Sequence, residues 1–243
     1  MKRAFSWVIT LIVLAWAITG VRGSGRDLEI SSNLVRILSK FYPPDFSIAP
    51  SLFEALLDTI RIAVTATAFA IFLALPLAII SSSRFGHPLL RRASLILQAG
   101  IRTIPSLVWA LIAVAMVGAN PLAGVIALIF YSLGYLGKFF ADAIDTVPAE
   151  HGRVLLANQA HPIQALQYGL MPEIAPLLRR HCFWMLEYNI RSASIIGFVG
   201  AGGIGTQLHV YQEYGQWDKF SAVLIVLFAI VLLVETIGRK FNR

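Results

Sequence analysis

Charge is scarce in this sequence. Asp, Glu, Lys and Arg make up 14% of its 243 residues, against about 25% in a soluble domain. The lone Cys182 excludes an internal disulfide and any CxxC metal pair. No GxxxxGK[ST] phosphate loop occurs, so the sequence shows no P-loop nucleotide site of its own. The five histidines, His87, His151, His161, His181 and His209, form neither HxxxH nor HExxH and read as interfacial or loop residues. A membrane-embedded enzyme or assembly factor would need a convergent acid–base or metal-ligand set, and the sequence offers none.

Apolar residues are abundant instead. They make up 57% of the chain, the mean hydropathy is +0.73, and several runs approach the roughly 20 residues that cross a bilayer. The runs predict an all-α, polytopic membrane helical bundle of about six spans. These are residues 4–21, 52–80 with a kink at Pro76, 93–117 broken near Pro105, a fourth from Pro121 to about 140, a fifth after Pro172 to 196, and 220–237. The first run is long, contains Trp7 and Trp16 and lacks a small-x-small cleavage site, so it is expected to be retained rather than cleaved as a signal peptide.

Between the first two spans, Leu28, Ile30, Leu34, Val35, Ile37 and Leu38 recur at helical spacing until Pro43-Pro44, which predicts a short amphipathic helix on the membrane surface. Residues 1–50 are therefore expected to be a transmembrane helix plus a periplasmic amphipathic segment, and 51–243 the main membrane domain. Asp58 and Arg61, at i and i+3, can pair. A glycine-rich stretch and polar loop are expected over 197–219.

The net charge is +7 and the pI near 9.9. The Lys and Arg sit between or beside the apolar runs rather than on an exposed basic face, so they report membrane orientation and no nucleic-acid partner. With both termini inside, three of the four cytoplasmic pieces (1–3, 81–92 and 239–243) are basic and hold no acidic residue. The fourth, 141–171, is a polar interruption in mid-chain. Residues 148–168 suit a short cytoplasmic helical hairpin whose second half starts at Pro162, because a structureless connection of that length is unusual.

Two constellations stand out near the end of the fifth span. Residues 200–205 match GxGxxG, but nothing supplies the βαβ setting that a dinucleotide site requires. In a membrane, such small residues let helices approach closely or let backbone unwind beside a cavity. Just before them lie Glu187, Asn189, Arg191, Ser192 and Ser194. Charges inside a span are expensive and face the bundle interior or an aqueous path. Glu187 and Arg191, at i and i+4, can neutralise each other as a structural pair, while Asn189, Arg191, Ser192 and Ser194 offer donors to a passing anion. Both readings stand together.

At these residues the sequence resembles a family. A six-span core, a mid-chain cytoplasmic helix, then Glu187-x-Asn189-x-Arg191-Ser192-Ala193 followed by Gly197-Phe-Val-Gly200-Ala-Gly202-Gly203-Ile-Gly205 is similar to the phosphonate-type permeases of bacterial ABC importers. The resemblance covers roughly residues 50–240. The family's coupling loop reads Glu-Ala-Ala, three residues, Gly, nine residues, Ile-x-Leu-Pro. Here Ala157-Asn158-Gln159-Ala160 and Tyr168-Gly169-Leu170-Met171-Pro172 hold the corresponding places, while Arg153 stands for the Glu, Val154 for the first Ala and Gln159 for the Gly.

The resemblance implies an inner-membrane permease subunit that moves a small phosphorus oxyanion (phosphonate, phosphite or hypophosphite) by alternating access. It also implies an ATPase dimer in the cytoplasm, a second permease subunit of the same or a paralogous kind, a periplasmic binding protein, contact with membrane lipid and no cofactor. On the family's pattern, Glu187, Asn189, Arg191, Ser192, Ser194, Gly200, Gly202 and Gly203 belong to the substrate pathway. Arg153, Ala157, Gln159, Ala160, Gly169 and Pro172 belong to the ATPase-coupling segment. A methionine-type permease, with a similar glycine-rich ending but no Asn-x-Arg segment, is the alternative.

Overall fold

A computed structural model of the chain describes residues 2–21, 29–148, 157–159, 161 and 164–241, and all regular structure among them is helical. They divide into two units, Met1–Lys40 and Phe41–Arg243. The first holds α1 (Lys2–Gly20) and α2 (Ile30–Lys40). Trp7 and Trp16 on α1 are exposed, as are Leu34, Val35, Ile37 and Leu38 on α2, which is the placement expected of side chains solvated by lipid rather than by a core.

The second unit holds α3 (Ala49–Ser81), α4 (Pro88–Thr103), α5 (Ser106–Val117), α6 (Pro121–Thr146), α7 (Met171–Ile196), α8 (Ile204–Glu213) and α9 (Trp217–Phe241). Its main contact is between α3 and α6. Small residues make that contact possible: Ala63, Ala66, Ala70, Ala74 and Ala78 are buried along one face of α3, while Phe69 and Phe72 point outward. Small inside and large outside inverts a soluble core. In lipid, outward apolar groups cost nothing, and close backbone approach supplies the packing energy.

Stretches 46–81, 121–146 and 217–240 are long and apolar enough to cross a membrane; counting each of two bent pairs as one span raises the total to five, and Ser6–Gly20 is a shorter apolar helix. Three sequence expectations change in detail. The third stretch, expected over 93–117, starts earlier because α4 already begins at Pro88, and the break expected near Pro105 is a bend of 91° between α4 and α5. Pro105 cannot donate to the helix and forces Ile104 into extended backbone (φ −89°, ψ 120°); the Trp109 indole then pins the corner by donating to the Ile101 carbonyl at 3.2 Å. The fourth span continues to Thr146, so Asp142 and Asp145 belong to a helix rather than to the polar interruption. The segment expected as loop over 197–219 contains α8. The Asp58–Arg61 pair forms at 3.0 Å.

Candidate functional site

The fifth predicted span, α7, carries the pathway candidates on two different faces. Asn189 is fully buried. Its amide nitrogen donates to Thr67 Oγ1 on α3 and to Ser132 Oγ on α6, both at 2.9 Å, and its amide oxygen lies 3.1 Å from the same Ser132 hydroxyl. One side chain thus ties three helices together where water cannot compete, and its donors are committed to the protein. Ser192 and Ser194 are buried as well, and Ser194 Oγ donates back to the Ile190 carbonyl at 3.4 Å.

Two residues from Asn189 in either direction is about 200° of helical rotation, so Glu187 and Arg191 look the other way. They form the expected ion pair at 3.2 Å, with 19% and 48% of their side chains exposed. The structure therefore separates the set: Arg191 is presented outward with its partner, while Asn189, Ser192 and Ser194 face the packed interior.

The glycines make the break between α7 and α8. Gly200, Gly202 and Gly203 have φ of 83°, 82° and 73°, a left-handed region that other residues enter only with strain. Space forbids a side chain too. A Cβ on Gly200 would lie 2.8 Å from Ala119 Cβ, and one on Gly203 would lie 2.5 Å from Thr59 Oγ1. That same hydroxyl accepts from the Ile204 backbone N–H at 2.8 Å, capping α8 from a neighbouring helix. The glycine run is thus a tightly packed break between α7 and α8, with the Ile204 N–H satisfied from across the bundle.

At the C-terminal end of α6, Asp145 accepts from Ser82 Oγ at 2.6 Å and from the Ser83 backbone N–H at 2.9 Å. Arg84 donates to the Val147 carbonyl, and Arg91 Nε donates to the Ser81 carbonyl at 3.2 Å. The loop joining α3 to α4 is thereby clamped to the C-terminal end of α6, just before the mid-chain polar segment.

Of that segment's candidates, Arg153 and Ala160 lie outside the described residues, as does most of the hairpin expected over 148–168. Ala157 is helical and exposed, and Gln159 has a φ of 62°. That is glycine-favouring backbone at the place where the family resemblance puts Gly. Gly169 lies in a π-helical turn, Ala165–Leu170, and Pro172 lies in the first turn of α7.

Sequence reasoning missed Thr67, Ser132 and Asp145, because a hydroxyl or carboxylate 57 or more residues from its partner leaves no local spacing signal. It also missed an aromatic wall between α6 and α7. Tyr131 stacks on Tyr188 (centroids 4.9 Å apart), Tyr188 on Trp184 (5.9 Å), and Trp184 meets Phe139 edge-on at 5.6 Å. The i, i+4 aromatic spacing of 131, 135 and 139 was available as a signal.

A helical bundle with broken spans, a buried polar tie and an α3–α4 loop clamped to the end of α6 has the architecture of a membrane permease. Residues 66–243 match the family described as binding-protein-dependent transport system inner membrane component, and the chain belongs to it. It is 32% identical to the phosphite transport system permease protein PtxC of Stutzerimonas stutzeri, over 97% of this chain and 86% of that one. It is 31% identical to the phosphate-import permease protein PhnE of Mycolicibacterium smegmatis, over 84% of this chain and 39% of that one. A solved structure of the MetNI methionine ABC transporter, in an inward-facing conformation, shares the fold with a TM-score of 0.71 at 22% identity, covering 79% of this chain and 94% of that one.

Proposed function

We propose that this chain is the transmembrane subunit of an ATP-driven importer that carries a small phosphorus oxyanion across the inner membrane. The observation that carries the reading is similarity along nearly the whole chain to a phosphite permease. The likeness to a methionine transporter is one of fold. The outward-facing Arg191 adds a chemical reason, since a guanidinium offers oxyanions a planar pair of donors. Glu187 keeps that cation in place while no anion is bound.

In this reading ATP is hydrolysed by a pair of separate cytoplasmic subunits, a periplasmic protein delivers the substrate, and a second permease subunit, identical or paralogous, completes the path. Both termini are cytoplasmic. Force enters through the segment that contains Arg153, Ala157, Gln159 and Ala160. The Asp145 and Arg84 clamp would pass it to α3 and α4, and the glycine hinge at Gly200, Gly202 and Gly203 would let α7 and α8 reorient. Radiolabelled uptake into proteoliposomes, with the cognate ATPase and binding protein, tests this. The expected result is ATP-dependent accumulation of phosphite, hypophosphite or a phosphonate. Accumulation of methionine with no phosphorus oxyanion taken up would overturn the proposal.

A further inference from the structure

Arg102 has no role in anything described so far. It lies in the last turn of α4, one residue after buried Ile101, and its guanidinium carbon lies 5.7 Å from the centroid of the Tyr135 ring. Its stem runs past Gly134, where an added Cβ would come within 3.1 Å of Arg102 Cγ and 2.8 Å of Ile101 Cγ2. Gly134 stands midway along α6, a helix long and apolar enough to span the bilayer. The arginine therefore sits at mid-depth, where a cation is costly and is kept for function.

Its partners do not explain it. Arg84 and Arg91 spend donors on carbonyls at the ends of their helices. Arg102 makes neither a hydrogen bond nor an ion pair with any described residue, and its Nε is buried without an acceptor. What it has is a ring face. Tyr135 belongs to the aromatic wall, tilted against Tyr131 at 4.9 Å and facing Trp184 at 6.4 Å. An electron-rich ring attracts a guanidinium from one side without consuming its N–H groups. The two terminal nitrogens, which unlike Nε are not sealed off, remain as a fork for two oxygens of one anion.

We propose that Arg102 is an anion-binding residue of the translocation path, holding the passing oxyanion beside the Tyr131–Tyr135–Tyr188 wall. The inference rests on the importer reading above and adds a second cation to it. Arg191 is neutralised by Glu187 on α7, whereas Arg102 approaches from α4 with its charge uncompensated among the described residues. An oxyanion losing water at mid-membrane would meet a full positive charge there. Gly134 gives the stem its room, and Tyr135 fixes the plane of the fork.

The test uses the complete importer in proteoliposomes, with Cys182→Ser as background so that no native thiol of this chain reacts, and with the unsubstituted background treated in parallel to subtract any reaction of the other subunits. Arg102→Cys is expected to lower phosphite uptake about 10- to 100-fold, the loss of a charge-assisted hydrogen-bonded contact, with normal membrane abundance. Reaction with a trimethylammonium methanethiosulfonate restores a cation and should recover part of the uptake. The sulfonate reagent adds an anion of similar bulk and should recover none, and phosphite should slow both labelling reactions.

Equal recovery with either reagent, or a thiol that neither reagent reaches, overturns the proposal. Should Arg102→Cys fail to accumulate, Arg102→Lys decides. It keeps charge at the helix end but loses the fork, so phosphite uptake about tenfold below the parent at normal abundance supports the site, and unchanged uptake overturns it. The unmodified importer assayed in parallel keeps the two claims apart. If it takes up no phosphorus oxyanion, the importer reading has failed; if it does and the variants behave like it, only the role of Arg102 has failed.

Discussion

Asn189 and Arg191 are two residues apart, and the bundle gives them different work. Asn189 satisfies its amide on Thr67 and Ser132 in a dry interior. Replacing it with Ala leaves the Ser132 hydroxyl without its partner, while Thr67 keeps its bond to the Ala63 carbonyl, and should cost about 1–3 kcal/mol, seen as a lower unfolding temperature and reduced abundance before any transport is measured. Arg191 is half exposed and paired within its own helix, and pairs of that kind are worth about 0–1 kcal/mol. Arg191→Gln should therefore leave abundance near normal while abolishing uptake, and Arg191→Lys should be impaired but active. A purely structural pair behaves otherwise: Glu187→Gln combined with Arg191→Gln would then restore uptake, and such recovery would refute a substrate role for Arg191.

Helices here are set by what happens at their ends. Asp45 caps the turn before α3 by accepting from the Ser47 backbone N–H at 2.8 Å. That bond, reinforced by the Ser47 side chain, holds the Asp45 carboxyl below its ordinary value of 3.8. A lowered folded-state pKa contributes stability above the ordinary value and loses it as pH falls through the lowered one. Thermal unfolding followed from about pH 6 to about pH 3 should show this acid-side loss, and Asp45→Asn should flatten it.

At Gln159 the left-handed backbone costs a non-glycine residue about 1–2 kcal/mol, against about 0.4–1 kcal/mol for the extra unfolded-chain freedom of glycine. Relief wins. Gln159→Gly should stabilise the turn by up to about 1.6 kcal/mol and preserve ATPase binding in a pull-down of the assembled transporter. Ala157 is exposed on the same segment. Ala157→Asp should uncouple transport from hydrolysis with the chain still inserted, and unchanged uptake and ATPase association would count against its place in the coupling contact.

For the molecule as a whole, orientation follows from where the cations lie. Arg84, Arg91 and Arg92 flank the α3–α4 loop, and Arg239 and Lys240 lie in the last turn of α9. Reporter fusions after Ser83 and after Lys240 should both be cytoplasmic, and fusions at Asp45 and Gln212 should be external. The segment around Asp45 is tied to the start of α9, with the Asp45 N–H donating to the Asp218 carbonyl at 3.1 Å and Ser221 Oγ donating to the Phe41 carbonyl at 2.8 Å. A cytoplasmic signal at Asp45 would reverse the assignment of the coupling segment.

The sequence by itself determined the all-helical membrane class, the positions of most spans and the Glu187–Arg191 pair, because lipid demands long apolar runs and an i, i+4 pair needs only one helix. Proline and glycine were equally legible as breaks at Pro105 and Gly200–Gly205. The size of each bend, and the helix hidden in the stretch 204–213, depended on groups far away in the chain: Trp109 against Ile101, and Thr59 beneath Ile204. Only the tertiary structure decided which α7 residues face the interior, that Asp145 clamps a loop some 60 residues earlier, and that Arg102 meets Tyr135. Those contacts join segments whose spacing along the chain carries no period, so their partners exist only once α3, α4, α6 and α7 have packed.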